Sequence, residues 1–337
     1  MMAILTPAQG PAWRRFAPLL FIAAMAILPF VLPGRFWLHI FSLTMIYAIF
    51  VLGQNVITGW AGMLTLGQAA FAGTGAYVSV ILTMQFGVPW LLAFLIAGGA
   101  SAGAGALLAL PCLRVKSDFL SLVTIAFNQI FFVVANNWMD VTRGPMGIPA
   151  VPAMNVLGWR ADRPAEQFWL ILGVCVILYA MISRLMRGQL GRTLKMVRDD
   201  EVAAGALGVN VTGAKVLAFA IGCGLCGLGG SIYGHYMRFI SPDMFKLEES
   251  LIIMQMAILG GLASAPGAAL GAFLMIMIPE ALRSSEPWLI TIRPGVAGAT
   301  LVLLMILRPH GLLGMGEMPR SIQRLIDRAM GRERDMR

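Results

Sequence analysis

Charge is scarce in this chain. Asp, Glu, Lys and Arg make up 12% of its 337 residues, about half the share of an ordinary soluble domain. With 58% of residues hydrophobic, that deficit excludes a soluble globular fold. Lysine is almost missing, and none of Lys116, Lys195, Lys215 and Lys246 follows a glycine. No G-x-x-x-x-G-K-[ST] loop therefore exists to cradle a phosphate, and the chain is not expected to be an ATPase or an enzyme of its own. Histidine is equally sparse, and His39, His235 and His310 lack ligand spacing, so no metal is expected. Neither H-E-x-x-H nor G-x-S-x-G occurs, and no catalytic residue is assigned. The four cysteines form no framework for a secreted fold. Cys223 and Cys226 make a C-x-x-C inside a Gly-rich apolar run, where small residues at a helix contact are favoured over redox or metal chemistry. Acids are nearly absent from the hydrophobic runs. Asp118, Asp140, Glu166, Glu248 and Glu249 stand at their ends, and Glu280 is the deepest. Ion-driven carriers usually bury such carboxylates, so their scarcity counts against ion coupling.

What remains is a series of apolar runs near the length of about 20 residues that crosses a bilayer. The runs lie at 16–32, 36–57, 64–84, 88–110, 119–138, 167–185, 214–236, 250–263, 267–282 and 290–307. The expected fold is an all-α polytopic membrane protein of about ten transmembrane helices, some broken or re-entrant, with both termini cytoplasmic. The segments are an N-terminus over 1–15, a membrane domain over 16–308 and a basic tail over 309–337. Arg14 and Arg15 precede the first run, and Pro33, Gly34 and Arg35 follow it. That pattern reads as an uncleaved span. A pI near 9.9 invites a nucleic-acid reading. We reject it, because the basic residues lie in connectors and tail, where positive-inside topology puts them. In this orientation 17 of the 25 Lys and Arg face inside.

Four segments are not plain spans. Gly188–Leu217 carries Arg192, Lys195, Arg198, Asp199, Asp200, Glu201 and Lys215, which cannot sit cheaply in lipid. It is expected to be a helix-prone cytoplasmic connector, centred on 186–213, that offers a docking surface. Thr58–Ala76 has glycines at 59, 62, 67, 73 and 75, with Gln68 among them. Leu259–Phe273 is similarly Gly-rich, and residues 250–282 are few for two crossings, so half-helices or a re-entrant pair fit better. Interrupted segments in the two halves of a transporter point to its pathway, although tight helix packing explains the same glycines. The outer loop over 140–165 is rich in Pro and Gly and suits either a partner or a structural turn. In the tail, Ile322, Leu325, Ile326, Ala329 and Met330 recur at helical spacing, consistent with an interfacial helix or a frayed basic end.

Several motifs occur together and in order. Gly59–Tyr77 resembles a G-x-x-G-x-x-x-L-G-x-A-x-F-x-G-x-G-A-Y signature, and Thr142–Pro149 a T-x-G-x-x-G-I-P. Gly191–Phe219 contains EVAAGALGVNVTGAKVLAF, Tyr233–Phe245 reads YGHYMRFISPDMF, and RPHGLLG stands at 308–314. These motifs resemble the permease subunits of branched-chain amino-acid ABC importers of the LivM type, and the similar urea-importer permeases. The resemblance implies a permease subunit of the bacterial inner membrane with no cofactor of its own, ATP being used by partners. The implied partners are two ATP-binding cassette subunits, a second permease (a paralogue or a copy), a periplasmic binding protein and the bilayer. It implies that Arg198, Glu201, Ala203, Ala204 and Gly208 form the element that couples to the ATPase, with a solvated amphipathic loop as the alternative. Gly67, Gln68, Phe71, Gly73, Gly75, Gly260 and Gly261 would border the pathway. Thr142, Gly144 and Gly147 would dock the binding protein. The expected substrate is a branched-chain amino acid. Urea or a short amide, or a stand-alone ion-coupled amino-acid carrier, are the alternatives.

Overall fold

The computed structural model describes residues 34–112, 117–156 and 159–283, together with Gly298 and Leu312. The helices are α1 (Arg35–Asn55), α2 (Gln68–Gln85), α3 (Trp90–Cys112), α4 (Ser117–Asn137), α5 (Met139–Thr142), α6 (Pro164–Arg187), α7 (Gln189–Asp199), α8 (Glu201–Ala206), α9 (Val211–Met237), α10 (Leu247–Gly260) and α11 (Ala265–Arg283). Short strands are β1 (Ile148–Pro149), β2 (Asn155–Val156), β3 (Trp159–Arg160) and β4 (Phe239–Ile240).

α1 and α9 form the centre. Two thirds (67%) of the apolar window in each is buried, against 22–33% in α3, α4 and α6. α2 and α3 pack on one side of α9, while α6, α10 and α11 gather around α1. Such close approach needs small residues where apolar surface alone gives no drive for association in lipid. At the α2–α9 crossing, a Cβ on Gly75 would fall on the backbone of Gly227.

Two elements are discontinuous. α1 ends in a π turn at Val56–Trp60, after which Gly62–Gly67 runs without helix until α2 begins at Gln68. The expected span over 64–84 therefore starts late: Gly62 and Gly67 fall in the irregular segment, and Gly73 and Gly75 inside the helix. α10 stops at Gly260 and α11 starts at Ala265, and the two halves are bent by 119°. The expected crossings at 250–263 and 267–282 are thus one sharply bent pair. Among the described residues, five helices (α1 with its π turn, α3, α4, α6, α9) are long and apolar enough to cross a membrane, and the bent pair is the sixth candidate. The expectation of about ten spans is not reached there. The expected runs at 16–32 and, apart from Gly298, at 290–307, with both termini and the tail helix, lie outside the described residues.

α6 joins the outer loop to the charged connector. Its start is fixed by Pro164 at the first turn and by Glu166 Oε2, which accepts from the backbone N–H of Asp162 and Arg163. Its last turn carries Arg184 and Arg187, which suit the negative end of the helix dipole. With 24 residues it spans about 36 Å at 1.5 Å per residue. The charged connector α7–α8 lies at one end and the loop over 140–165 at the other.

Candidate functional site

Two adjacent amides hold the two breaks. Gln54 Nε2, at the end of α1, donates to the Thr65 carbonyl at 2.9 Å and to Thr58 Oγ1 at 2.9 Å, and lies 3.0 Å from Met254 Sδ of α10. Asn55 Nδ2 donates to the carbonyls of Ser264 (3.0 Å) and Gly261 (3.3 Å), and its Oδ1 accepts from Ala263 N–H at 2.7 Å. Ala263 holds a left-handed φ of 57°, a conformation that persists only where the surroundings impose it. Buried backbone groups freed by a helix break require such partners. The start of α2 is satisfied likewise: Leu66 N–H donates to Thr124 Oγ1 and Ala69 N–H to Ser250 Oγ, each at 3.0 Å.

The charged connector reaches this region directly. Arg198, in the last turn of α7, donates from Nη1 to the Gly59 carbonyl at 2.9 Å. Gly59 lies in the π turn, and a Cβ there would sit on Asn55 Oδ1 and Ala263 N, the two atoms of the hydrogen bond described above. Gly62 has φ 72° and lies under the Arg198 stem. Arg198 was expected in the ATPase-coupling element; its side chain, 35% exposed, is engaged with the chain's own break and with Asp199.

α7 buries Gly191, Leu194 and Val197 on one face. Asp200 caps α8 by accepting from the N–H of Val202 and Ala203, a cap visible in the sequence as an acid just before a helix-prone run. Glu201 pairs with Lys215 at the start of α9. Gly208 (φ 82°) follows the helix end in the left-handed conformation. Ala203 is exposed, whereas Ala204 is buried and turned inward. The docking role expected of Ala204 has no surface to act through. Val202 and Leu207, 83% and 77% exposed, form the apolar tip; sequence reasoning missed them, although exposed aliphatics in a charged connector were the available signal.

The candidate pathway residues divide in two. Gln68 is fully buried at the start of α2 with Oε1 3.0 Å from Cys226 Sγ, and Gly67 precedes it against Thr124. Gly261 (φ 112°) lies in the second break, next to Gly260, which packs on Gly267 and Gly271 of α11. These four sit at the discontinuities. Phe71 instead stacks on Phe127 of α4 (centroids 4.9 Å apart), Gly73 accommodates Phe131 and Phe245, and Gly75 meets Gly227. Those three serve helix packing. Cys223 and Cys226 also act as packing residues, against Gly105 and Gly53.

At the opposite end, Thr142 is buried and donates to the Ala135 and Trp138 carbonyls. Gly144 and Gly147 are buried turn residues with φ 57° and 68°. All three are buried, and the exposed residues beside them are Arg143, Pro145 and Met146. The loop clamps the end of α9: β1 pairs antiparallel with β4, and Arg238 pairs with Asp162. His235 Nδ1 lies 2.9 Å from the Pro152 carbonyl. A carbonyl only accepts, so Nδ1 carries the proton and Nε2 accepts from Ser79, which in turn accepts from Ser231. Beside His235 a cavity of about 370 Å³ is lined by Trp90, Arg160 and Asp162, among others.

Five apolar helices, two polar-stabilised breaks and a charged connector define a multi-pass helical membrane protein. A family model described as the branched-chain amino acid transport system permease component matches residues 36–307, and the chain belongs to this family. It is similar to the high-affinity branched-chain amino acid transport system permease protein LivM of Escherichia coli (strain K12), at 32% identity over 322 residues, covering 88% of this chain and 75% of that protein. It is also similar to LivH of the same organism, at 26% over 294 residues, covering 80% and 92%. The probable branched-chain amino acid transport permease protein LivM of Methanocaldococcus jannaschii is 22% identical over 235 residues, covering 66% and 68%. No solved structure matches.

Proposed function

We propose that this chain is the membrane-spanning subunit of an ABC importer for branched-chain amino acids in the bacterial inner membrane. The observation that carries this reading is the line from the connector to both breaks: Arg198 to Gly59, and Asn55, beside Gly59, to Ala263. Two ATP-binding cassette subunits engage the tip of α8 at Val202 and Leu207. Their closure moves α7, and Arg198 transmits that movement to the π turn and to the second break. A second permease, a paralogue or a copy, completes the pathway, and a periplasmic binding protein delivers the substrate to the end that carries the 140–165 loop. The basic connector supports that orientation, since Lys and Arg favour the cytoplasmic side. Alternating access then follows from differential stabilisation of two arrangements of the breaks.

The test is reconstitution of the chain with its ATPases, second permease and binding protein in liposomes. Leucine uptake that requires external binding protein and internal ATP supports the reading. Uphill uptake by the purified chain alone, collapsed by an ionophore, overturns it. Urea taken up in place of leucine overturns the substrate class alone.

A further inference from the structure

Three polar atoms at the first break have no hydrogen-bond partner among the described residues: Gln54 Oε1, Thr65 Oγ1 and Gln68 Nε2. All three residues are fully buried. They belong to one cluster, because Gln54 Nε2 bonds the Thr65 carbonyl and Gln68 opens the helix three residues later. The orientation of the Gln54 amide is fixed by chemistry: the Thr65 carbonyl can only accept, so the nitrogen faces it and the oxygen is left over. At Gln68 the Cys226 thiol donates to Oε1, which leaves the nitrogen without an acceptor. Buried groups of this kind are rare in native proteins, and each calls for a partner.

We propose that these three atoms anchor the zwitterionic head group of the amino acid in transit, an inference that rests on the transport reading above. Gln54 Oε1 accepts from the α-ammonium, Gln68 Nε2 donates to the α-carboxylate, and the Thr65 hydroxyl serves either. Among the described residues no charged side chain hydrogen-bonds any of the three. An isolated ion would be costly in such a place, whereas a zwitterion brings both of its charges. Met254, whose sulfur touches Gln54 Nε2, offers an adaptable apolar wall for a branched side chain. The start of α2 adds the positive end of its dipole on the carboxylate side. The closed packing shields the atoms, and separation of α1 from α2 and α10 exposes them together.

The test uses Thr65→Val, which deletes only the unpartnered hydroxyl and keeps the shape, with Thr65→Ser and Gln68→Met beside it. Each full assembly is assayed for leucine uptake, for ATPase stimulation by loaded binding protein, and for thermal unfolding. Thr65→Val and Gln68→Met are expected to lower kcat/KM for leucine about 10- to 100-fold, the loss of a hydrogen bond to a charged group. Thr65→Val keeps or raises the unfolding temperature, and Thr65→Ser restores uptake. ATPase stimulation persists, since docking is untouched. Unchanged uptake in Thr65→Val overturns the anchor, whatever happens to stability. So does an uptake loss that follows a fall in unfolding temperature and is not restored by Thr65→Ser. Uptake absent already from the unmodified assembly refutes the transport reading and takes the anchor with it.

Discussion

Arg198 and Gly59 meet across 139 residues of sequence, guanidinium to carbonyl, at 2.9 Å. The contact joins the most polar segment of the chain to the point where its central helix loses regular geometry. A glycine is required there twice over, since the Asn55–Ala263 hydrogen bond occupies the space of a Cβ on Gly59 and the Arg198 stem occupies that of Gly62.

Arg198→Ala removes the link and leaves the apolar tip of α8 intact. The ATPases are expected to dock and hydrolyse normally, while leucine moved per ATP falls about tenfold, as for loss of about 1.4 kcal/mol. Arg198→Lys is expected to recover only part of it, because a point charge replaces a planar fork. An unchanged ratio of transport to hydrolysis in Arg198→Ala refutes the mechanical role.

Asn55→Leu strips the second break of three hydrogen bonds. The buried Ala263 N–H and the Gly261 carbonyl are left unpaired, while the Ser264 carbonyl keeps the N–H of Ala268, so the expected cost is about 2–6 kcal/mol at about 1–3 per group left unpaired. Thermal unfolding in detergent measures it. Asn55→Asp keeps an acceptor for Ala263 N–H and should fall between wild type and Asn55→Leu.

Two glycines in helices are expected to respond with opposite signs. Gly75→Ala drives a methyl into the Gly227 backbone and should destabilise by about 1–3 kcal/mol through overpacking. Gly99, in α3, has nothing within 4 Å of the place a Cβ would take, so Gly99→Ala should be neutral or stabilising by up to about 1 kcal/mol. Equal unfolding temperatures for the two variants contradict the α2–α9 packing.

Val202→Asp with Leu207→Asp charges the tip of α8 without touching its cap or the Glu201–Lys215 pair. The unfolding temperature should hold within a degree or two, since exposed substitutions usually stay within about 0.5 kcal/mol. Co-purification of the ATPases should be lost. Retained co-purification moves the docking surface elsewhere.

Much of the fold was legible because lipid-compatible helices write themselves as apolar runs. α3, α4, α6 and α9 lie within a few residues of the expected 88–110, 119–138, 167–185 and 214–236. The breaks were legible as glycine density, but their form was not: Gly67 precedes a helix start, Gly75 packs one helix on another, and composition alone treats the two alike. In the same way Thr142, Gly144 and Gly147 form a recognisable motif, yet their side of the turn faces inward. Ala204 and Val202 stand two residues apart in one short helix and point in opposite senses, which only the seating of α8 on α7 and α9 establishes.

Hydropathy and the spacing of small and charged residues were enough to specify a membrane protein, the position of its polar connector and the two places where helices fail, because these are local properties with a high energetic cost of violation. Folding alone determined that Arg198 turns inward, that Gln54 and Asn55 each serve a different break, and that three polar atoms at the first break are left without partners among the described residues. Those relationships depend on distances between segments far apart in the chain, and such distances exist only once the helices have packed.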